Sequence, residues 1–304
     1  MREIHNDWNN IPLDHNVERI YHYTSTEGLN GIFKNQQLWA NDIYRQNDKS
    51  EGVYILKLLE DNIATFNISE NFKDAILREV NRVRPVLIEG YYDSKKYRSF
   101  IISFSTEQDE LALWNYYTKS KNSTGYNIVF DTNILMKSHI QTKKLDRQSG
   151  EEDVYYQKID DIHFRHGKVI YEQEIQIDII RQLVKDFERY FDRSDTECEY
   201  HLVDKLLWVG NFFKHPKFKH EYEYRMAFFC YTNKNNPKMN DVAVEVEGSK
   251  KNHIEIYFNP LSIMAVTCSP TNSDKEKEYL NQFMTPVFPN FTSVENSEIP
   301  FRVI

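Results

Sequence analysis

The chain has 304 residues, of which 46 are acidic and 38 basic, giving a formal net charge of −8. This balance argues against a protein whose whole surface binds nucleic acid, although a local basic groove remains compatible with it. No apolar run is long enough to span a membrane, and the first residues lack the pattern of a secretion signal. The widely spaced Cys198, Cys230 and Cys268 predict free thiols and no metal site. Composition therefore favours a soluble, cytoplasmic globular protein.

The chain opens with a predicted strand, helix and strand. Residues 19–24 are β-rich and alternating, which predicts a strand with His22 near its end. Apolar residues at helical spacing follow, and Asn35 is typical of a helix end. Residues 37–40 then predict a short second strand.

Longer elements follow in an irregular order. Residues 140–161 are polar and charged, which predicts a long loop. Pro85 is expected to end the helix before it, because proline lacks the N–H that a helix interior needs. Apolar spacing predicts helices over 52–66, 70–84, 111–117, 175–191, 199–213 and 274–283. Apolar and aromatic runs predict strands over 97–105, 126–131, 168–172, 221–230 and 253–258.

Strands and helices are thus interleaved without the regular alternation of βαβ units, which predicts an α+β fold. No linker rich in glycine, proline or serine divides the chain. The sequence therefore predicts one domain over 1–304, with a helical insertion at about 174–213. The few glycines form neither a dinucleotide-binding nor a phosphate-loop motif, so those two nucleotide sites have no support.

Three charged residues follow one another on a predicted strand near its start. Strand alternation places Glu221, Glu223 and Arg225 on one face. Charges in this position are costly unless they face a wet cleft or each other. Such carboxylates could stabilise a developing cation. An exposed edge strand with a structural salt bridge explains the pattern equally well.

Polar residues at three other places are also candidates for a site. His22 and Thr24 lie at a strand–helix junction, where free backbone N–H groups can hold an anion or an amide. Ser103 and Ser105 share one face of a strand. Glu51 precedes a helix, where acidic residues suit the helix dipole. In each case an ordinary structural role is the commoner explanation.

In their order along the chain, these segments resemble the bacterial domain-of-unknown-function family 2971. The similarity covers roughly residues 18–285. It is carried by Tyr21-His-Tyr-Thr-Ser-x-x-Gly-Leu-x-x-Ile32, Leu38-Trp-Ala, Asn47-Asp-x-x-Glu51, Ser103-Phe-Ser105, Leu113-Trp-x-x-Tyr117, Gly125, Val169-x-Tyr171 and Glu221-x-Glu223-x-Arg225.

The opening segment also resembles ADP-ribosyltransferases of the DarT-like and diphtheria-toxin-like groups. This resemblance implies a split-sheet ADP-ribosyltransferase-like fold with a cleft for NAD as substrate. His22 would match the histidine that hydrogen-bonds the nicotinamide-side ribose. The backbone of Tyr23 would match the group that binds the nicotinamide amide, and Thr24 the hydroxyl beside it. Tyr23 is bulky where many such enzymes have glycine.

The same resemblance implies roles for residues further along the chain. Ser103 and Ser105 match the Ser-x-Ser strand of related transferases. Glu221-x-Glu223 matches their Glu-x-Glu motif, in which the second glutamate stabilises the oxocarbenium-like transition state. For the tyrosine that stacks on nicotinamide, the sequence leaves two candidates, Tyr54 and Tyr117. Arg225 and neighbouring lysines could admit a dinucleotide phosphate.

Three functions remain open at this point. The first is an NAD-dependent ADP-ribosyltransferase or NAD glycohydrolase, of the kind used by bacterial toxins and phage-defence effectors. The second is a catalytically silent nucleotide-binding or sensor module on the same fold. The third is a metal-dependent nucleic-acid-processing enzyme, which would need further acids such as Asp48 and Glu51 beside the Glu-x-Glu pair. The acceptor of an ADP-ribosyl group, whether water, protein, DNA or RNA, is not readable from the sequence.

Overall fold

The computed structural model describes residues 13–46, 50–89, 97–117, 124–137, 162–191, 198–231, 244–245, 252–272, 274–284 and 287–300. These residues form a mixed α/β structure in which ten strands build one sheet. The strands are β1 (Arg19–Ser25), β2 (Gln37–Asp42), β3 (Tyr97–Ser105), β4 (Gly125–Asp131), β5 (Ile162–Lys168), β6 (Glu223–Tyr231), β7 (Val244–Glu245), β8 (Asn252–Tyr257), β9 (Ile263–Cys268) and β10 (Ser293–Asn296).

Helices cover both faces of this sheet. They are α1 (Thr26–Asn35), α2 (Tyr54–Asn62), α3 (Glu70–Glu89), α4 (Leu111–Tyr117), α5 (Thr132–Lys137), α6 (Gln173–Phe191), α7 (Cys198–Gly210) and α8 (Asp274–Met284). A 3-10 helix over Pro216–Glu221 leads into β6. No helix in the described ranges is both long and apolar enough to cross a membrane.

The sheet branches at β3. Its main path runs β10-β9-β4-β1-β3-β2-β8-β7, while β6 pairs with β3 and β5 pairs with β6. One edge of β3 pairs with β6 along its whole length. The other edge is shared, because β2 pairs with it at Phe100 and Ile101 and β1 pairs with it at Ser105. Between these points β1 and β2 diverge, which opens a split beside residues 102–104.

Two hydrophobic cores lie on opposite faces of the sheet. On the first face, β3 and β6 contribute Phe100, Phe104 and Phe228 to a core shared with α1 and α8. On the second face, Ile101 and Phe229 pack against Trp208 of α7 and against Phe212, which follows α7. The helices α2, α3, α6 and α7 pack on one another in a further cluster behind them. The sheet is therefore buried on both sides, and its split is one of the places where polar groups reach the surface.

The opening strand, helix and strand agree with the sequence prediction, and a local cap explains where the helix starts. The hydroxyl of Ser25 accepts a hydrogen bond from the N–H of Gly28 at 3.2 Å. Gln36 follows the helix in the left-handed region, with φ of 51°. This residue turns the chain back into β2, so α1 lies against the first face of the sheet.

Two sequence predictions are wrong in the described residues. Helix α3 continues past Pro85 to Glu89, and Val83 and Leu87 on either side of the proline are buried. Burial of this apolar face offsets the single hydrogen bond that the proline removes. The predicted strand over 168–172 is replaced by one isolated bridge between Ile170 and Phe213, and the strand itself lies earlier, as β5.

The other sequence predictions include one segment outside the described residues, two helices that are present and two strands that were missed. The predicted loop over 140–161 lies outside the described residues. The helices predicted within 174–213 are present as α6 and α7. Strands β9 and β10 were not predicted, although β9 is almost fully buried. Its short apolar run has no flanking signal that distinguishes a strand from a buried coil.

Candidate active site

A cleft of about 200 Å³ opens at the split in the sheet. Its floor is formed by β3, and its walls come from β1, β2, α4 and the segment that precedes β6. Polar and charged side chains are unusually dense in it for a region this close to two hydrophobic cores. Those lining the cleft include Tyr21, His22, Asn41, Gln46, Glu51, Ser103, Ser105, Tyr117, Lys214, Glu221 and Glu223.

Glu223 lies at the base of the cleft and is only 3% exposed. Its Oε1 accepts hydrogen bonds from Ser103 Oγ at 2.5 Å and from Arg225 Nε at 2.6 Å. Its Oε2 accepts from Arg225 Nη2 at 2.8 Å and from Lys214 Nζ at 3.0 Å. The backbone N–H of Glu223 donates to the hydroxyl of Tyr171 at 3.1 Å. All four acceptor positions of this carboxylate are therefore in use.

Glu221 is held beside Glu223 by a special turn. It ends the 3-10 helix, and Tyr222 then adopts a left-handed conformation with φ of 47°. Left-handed backbone is unusual for a residue with a bulky side chain and often marks a functional site. The turn is anchored at Ser105, whose hydroxyl donates to the carbonyl of Glu221 at 3.0 Å.

The carboxylate of Glu221 is less saturated than that of Glu223. Its Oε2 accepts from Lys214 Nζ at 2.6 Å and from the hydroxyl of Tyr117 at 3.4 Å. The described residues offer no hydrogen bond to its Oε1, and this atom belongs to a side chain that lines the cleft. Glu221 is thus the carboxylate of the pair that is better placed to contact a ligand.

Arg225 anchors the cluster from below and is completely buried. Besides Glu223, its guanidinium donates to the carbonyl of Asn211 at 2.8 Å and forms an ion pair with Glu51. Lys214 Nζ also lies 3.4 Å from Glu51 Oε1. Three carboxylates therefore surround two cations, so the cluster carries one surplus negative charge when every group is ionised.

Burial and the charges within this cluster shift the pKa values of its members in different directions. For Glu223, burial is outweighed by the charges of Arg225 and Lys214, which lower the pKa of its carboxyl to about 2. For Glu221, burial dominates and raises the pKa. Burial disfavours the charged form of Lys214, yet Glu223 and its neighbours raise the pKa of the ammonium. The cluster thus contains one firmly ionised carboxylate and one that is easier to protonate.

His22 reaches the cleft from the other side of the sheet. Tyr21 pairs with Ser105, and Ser105 pairs with Glu223, so these three residues share a face and His22 takes the opposite one. Its ring packs edge-on against Phe104, and its Nδ1 donates to the carbonyl of Ser103 at 3.0 Å. Burial lowers the pKa of His22, which favours the neutral imidazole.

The two residues after His22 make structural contacts. The hydroxyl of Tyr23 donates to the carbonyl of Glu107 and accepts from the N–H of Glu110, each at 3.0 Å. Its ring packs edge-on against Trp114. The side chain of Thr24 covers Gly28, because a Cβ at that glycine would lie 2.0 Å from Thr24 Oγ1. Tyr23 borders the cleft, whereas Thr24 packs on α1.

The remaining candidate site residues also divide into those that line the cleft and one that packs elsewhere. Ser103 and Ser105 line the cleft and hold Glu223 and the Glu221 backbone. Of the two candidate tyrosines, Tyr117 lines the cleft, and burial raises the pKa of its hydroxyl. Tyr54 packs instead in the helical cluster on the second face, with its ring near His215.

Metal binding fits this cleft poorly. The ammonium and guanidinium of Lys214 and Arg225 already bond to the carboxylates of Glu51, Glu221 and Glu223. The described part of the chain contains no group of three or more histidine, cysteine, aspartate or glutamate residues arranged for a metal.

The structure describes some, but not all, of the other residues that were considered for a metal site. Asp48, the other acid that a metal site would require, lies outside the described residues. Cys198 and Cys268 are buried free thiols, whereas the side chain of Cys230 is not described.

Sequence reasoning missed two features of the cleft. Lys214 was considered only as one of the lysines near Arg225 that could admit a dinucleotide phosphate, yet it bridges three carboxylates. Glu51 was considered as a helix-capping acid and contacts Arg225 across 174 positions. The two phenylalanines directly before Lys214, in Phe212-Phe-Lys-His215, are a local signal that this lysine lies next to the core.

Comparison with known proteins gives one match. No curated protein and no solved structure matches the chain. A family model does match, over residues 113–226, and this range contains Tyr117, Lys214, Glu221 and Glu223. His22 and the other residues of the first two strands precede it. Over residues 113–226 the chain is similar to the family described as "Protein of unknown function (DUF2971)".

Proposed function

We propose that this protein binds NAD in the cleft at the split sheet and cleaves its nicotinamide–ribose bond, as an ADP-ribosyltransferase or an NAD glycohydrolase. One observation carries the proposal. The Glu-x-Glu pair and the Ser-x-Ser pair come from segments far apart in sequence and line a single cleft, and His22 borders this cleft from the opposite face of the sheet. On this proposal, the fold is of the split-sheet ADP-ribosyltransferase type.

The charge distribution suits this reaction. Loss of nicotinamide leaves positive charge on the ribose, and fixed negative charge nearby stabilises the transition state more than the ground state. The cluster carries a surplus carboxylate charge, and its groups are held by hydrogen bonds to strands. Little reorganisation is then needed when the positive charge develops.

Within this proposal the two glutamates have different roles. Glu221, with an oxygen that no described residue bonds, contacts the ribose. Glu223 is a positioning residue, because its oxygens already bind Ser103, Arg225 and Lys214. This division differs from the sequence expectation, in which Glu223 itself stabilises the transition state. The neutral His22 orients the ligand from the rim rather than transferring a proton.

The size of the cleft limits how NAD can lie in it. At about 200 Å³ it is smaller than the roughly 300–1,000 Å³ of usual ligand pockets. It would enclose the nicotinamide and its ribose, and the rest of the dinucleotide would lie across the mouth. Tyr117, which is 44% exposed and lines the cleft, offers an aromatic ring that can stack on nicotinamide.

A second candidate is a catalytically silent nucleotide-binding module on the same fold. Saturation of the Glu223 carboxylate by cations favours it, because a neutralised carboxylate contributes little to stabilising a ribosyl cation. In the resemblance, the backbone of Tyr23 binds the nicotinamide amide. The bulky side chain of Tyr23 fills space beside this backbone. This module would bind NAD without releasing nicotinamide.

Incubation with NAD labelled in the adenylate separates these functions. We expect free nicotinamide, with the label recovered as ADP-ribose when water is the acceptor, or on added protein, DNA or RNA. Binding of NAD without nicotinamide release from any mixture would favour the silent module. Absence of both binding and release would reject both candidates.

A further inference from the structure

The wall of the cleft formed by β2 carries an exposed aromatic side chain. Trp39 lines the cleft and is 50% exposed, which is unusual for a tryptophan in the middle of a paired strand. Its neighbours Leu38 and Ala40 are buried in the first core, so alternation directs Trp39 to the same face as the cleft.

The indole is held in a fixed orientation by its neighbour on β8. Its ring is stacked on that of His253, with centroids 4.1 Å apart and an angle of 19° between the planes. His253 is buried, and burial lowers its pKa, so a neutral imidazole lies beneath the indole. Because one face of Trp39 rests on His253, the exposed half of the ring offers its other face to a flat ligand.

Two amide side chains border the same wall. Asn41 Nδ2 donates to the carbonyl of Trp39 at 3.4 Å, and Gln46 Nε2 donates to the carbonyl of Asp42 at 3.1 Å. Both residues line the cleft. With each nitrogen bonded to the main chain, the amide oxygens face no donor among the described residues. They are therefore available to accept hydrogen bonds from an amino group of the ligand.

We infer that Trp39 is the stacking platform of an adenine-binding subsite, with Asn41 and Gln46 accepting from the exocyclic amino group. Stacking requires a flat aromatic ring, and the two amide oxygens supply acceptors for an exocyclic amino group, while each amide nitrogen keeps one N–H beyond its main-chain bond. Adenine meets both requirements, whereas hypoxanthine carries an oxygen at the same position. This inference rests on the proposed function only in naming NAD as the source of the adenine.

The test measures binding of AMP, IMP, nicotinamide mononucleotide and NAD to wild type and to Trp39→Ala by calorimetry. A stacked base is typically worth a loss of roughly 5- to 100-fold in affinity on removal of the ring. We expect that loss for AMP and NAD and no change for nicotinamide mononucleotide. IMP should bind wild type about tenfold more weakly than AMP. Trp39→Phe, which keeps a flat ring, should recover most of the affinity for AMP.

Tyr279→Ala provides the matched control. Tyr279 is also an exposed member of a stacked pair, with Phe283, but it lies on α8. It should leave AMP binding unchanged, and melting temperatures verify that each variant is folded. Equal AMP affinity in wild type and Trp39→Ala, or no AMP binding to wild type, would overturn the inference even if nicotinamide is released. Trp39-dependent AMP binding without nicotinamide release would support the inference and reject the proposed reaction.

Discussion

Glu221 and Glu223 bind the same ammonium, that of Lys214, yet their pKa values shift in opposite directions. Burial raises the pKa of Glu221. Glu223 is also buried, but Arg225 and Lys214 outweigh the burial and lower its pKa to about 2. The difference arises because Arg225 hydrogen-bonds both oxygens of Glu223 and forms no hydrogen bond or ion pair with Glu221. Two carboxylates two positions apart therefore differ in how readily they take up a proton.

The first prediction compares Glu221→Gln with Glu223→Gln. Glu221→Gln removes the surplus carboxylate while Lys214 keeps Glu51 and Glu223 as partners. We expect near wild-type stability and a fall in nicotinamide release of about 10²- to 10³-fold. Glu223→Gln breaks a buried ion pair, and we expect a loss of about 3–5 kcal/mol in the free energy of unfolding. Urea unfolding and single-turnover nicotinamide release measure the two effects.

Turnover and stability of the two variants together distinguish the roles of Glu221 and Glu223. A stable Glu221→Gln protein with full turnover would show that Glu221 does not contact the ribose. A folded Glu223→Gln protein that loses turnover but not stability would restore the sequence expectation for Glu223. Arg181→Gln is the stability control, because its ion pair with Asp178 is largely exposed and such pairs contribute about 0–1 kcal/mol.

The second prediction concerns pH. The pKa of Glu223 is lowered from 4.5 to about 2 in the folded state, so the native protein binds this proton less readily than the unfolded chain. The stabilisation is therefore complete above the unfolded value and is lost as pH falls toward 2, by an amount on the order of 3 kcal/mol. Glu221 acts with the opposite sign, because its raised pKa favours the native state at low pH.

Urea unfolding between about pH 7 and about pH 3 checks this prediction. Glu223→Gln should show a flatter dependence of unfolding free energy on pH than wild type. Glu221→Gln should be at least as steep as wild type, since it loses only the group that opposes acid unfolding. An equally steep curve for Glu223→Gln would assign the acid sensitivity to other carboxylates.

Local sequence signals were sufficient for the first three elements of the fold. The strand, helix and strand over residues 19–42 depend on alternation, spacing and a nearby cap, and each is decided within a few residues. The Glu-x-Glu pair could also be selected, because charges beside an apolar strand are conspicuous. Its environment could not be read, since Glu51 and Arg225 lie 174 positions apart and meet only when the chain between them is folded.

The face occupied by His22 illustrates what the sequence could not determine. Alternation fixes which residues of β1 share a face, but the face turned toward Glu223 depends on register with β3. That register is set by Tyr21 pairing with Ser105, a contact between strands that are separated in the chain by α1, β2, α2 and α3. A shift of one residue would have placed His22 on the same face of the sheet as Glu223. Pairings of this kind depend on the packing of the whole sheet.

The third prediction concerns the proline inside α3. Pro85 is exposed, and its missing N–H leaves the carbonyl of Asn81 without its helical donor. Pro85→Ala restores this hydrogen bond, and we expect the free energy of unfolding to rise by roughly 1–3 kcal/mol. Thermal and urea unfolding measure the gain. An unchanged or lower stability would mean that a kink at Pro85 is needed for packing of Val83 and Leu87.

The last prediction contrasts two helical glycines with different surroundings. A Cβ at Gly210, at the end of α7, would lie 2.6 Å from Ile55 Cγ2 on α2, so Gly210→Ala forces two packed helices apart. We expect a loss of about 1–3 kcal/mol despite the better helix propensity of alanine. A Cβ at Gly31 in α1 meets nothing within 4 Å, and Gly31→Ala should stabilise the protein by about 0.5–1 kcal/mol. Urea unfolding of the two variants tests both signs together. If Gly210→Ala were also stabilising, α2 and α7 could separate freely. Glu51 lies three residues before α2, so this helix would then not hold Glu51 against Arg225.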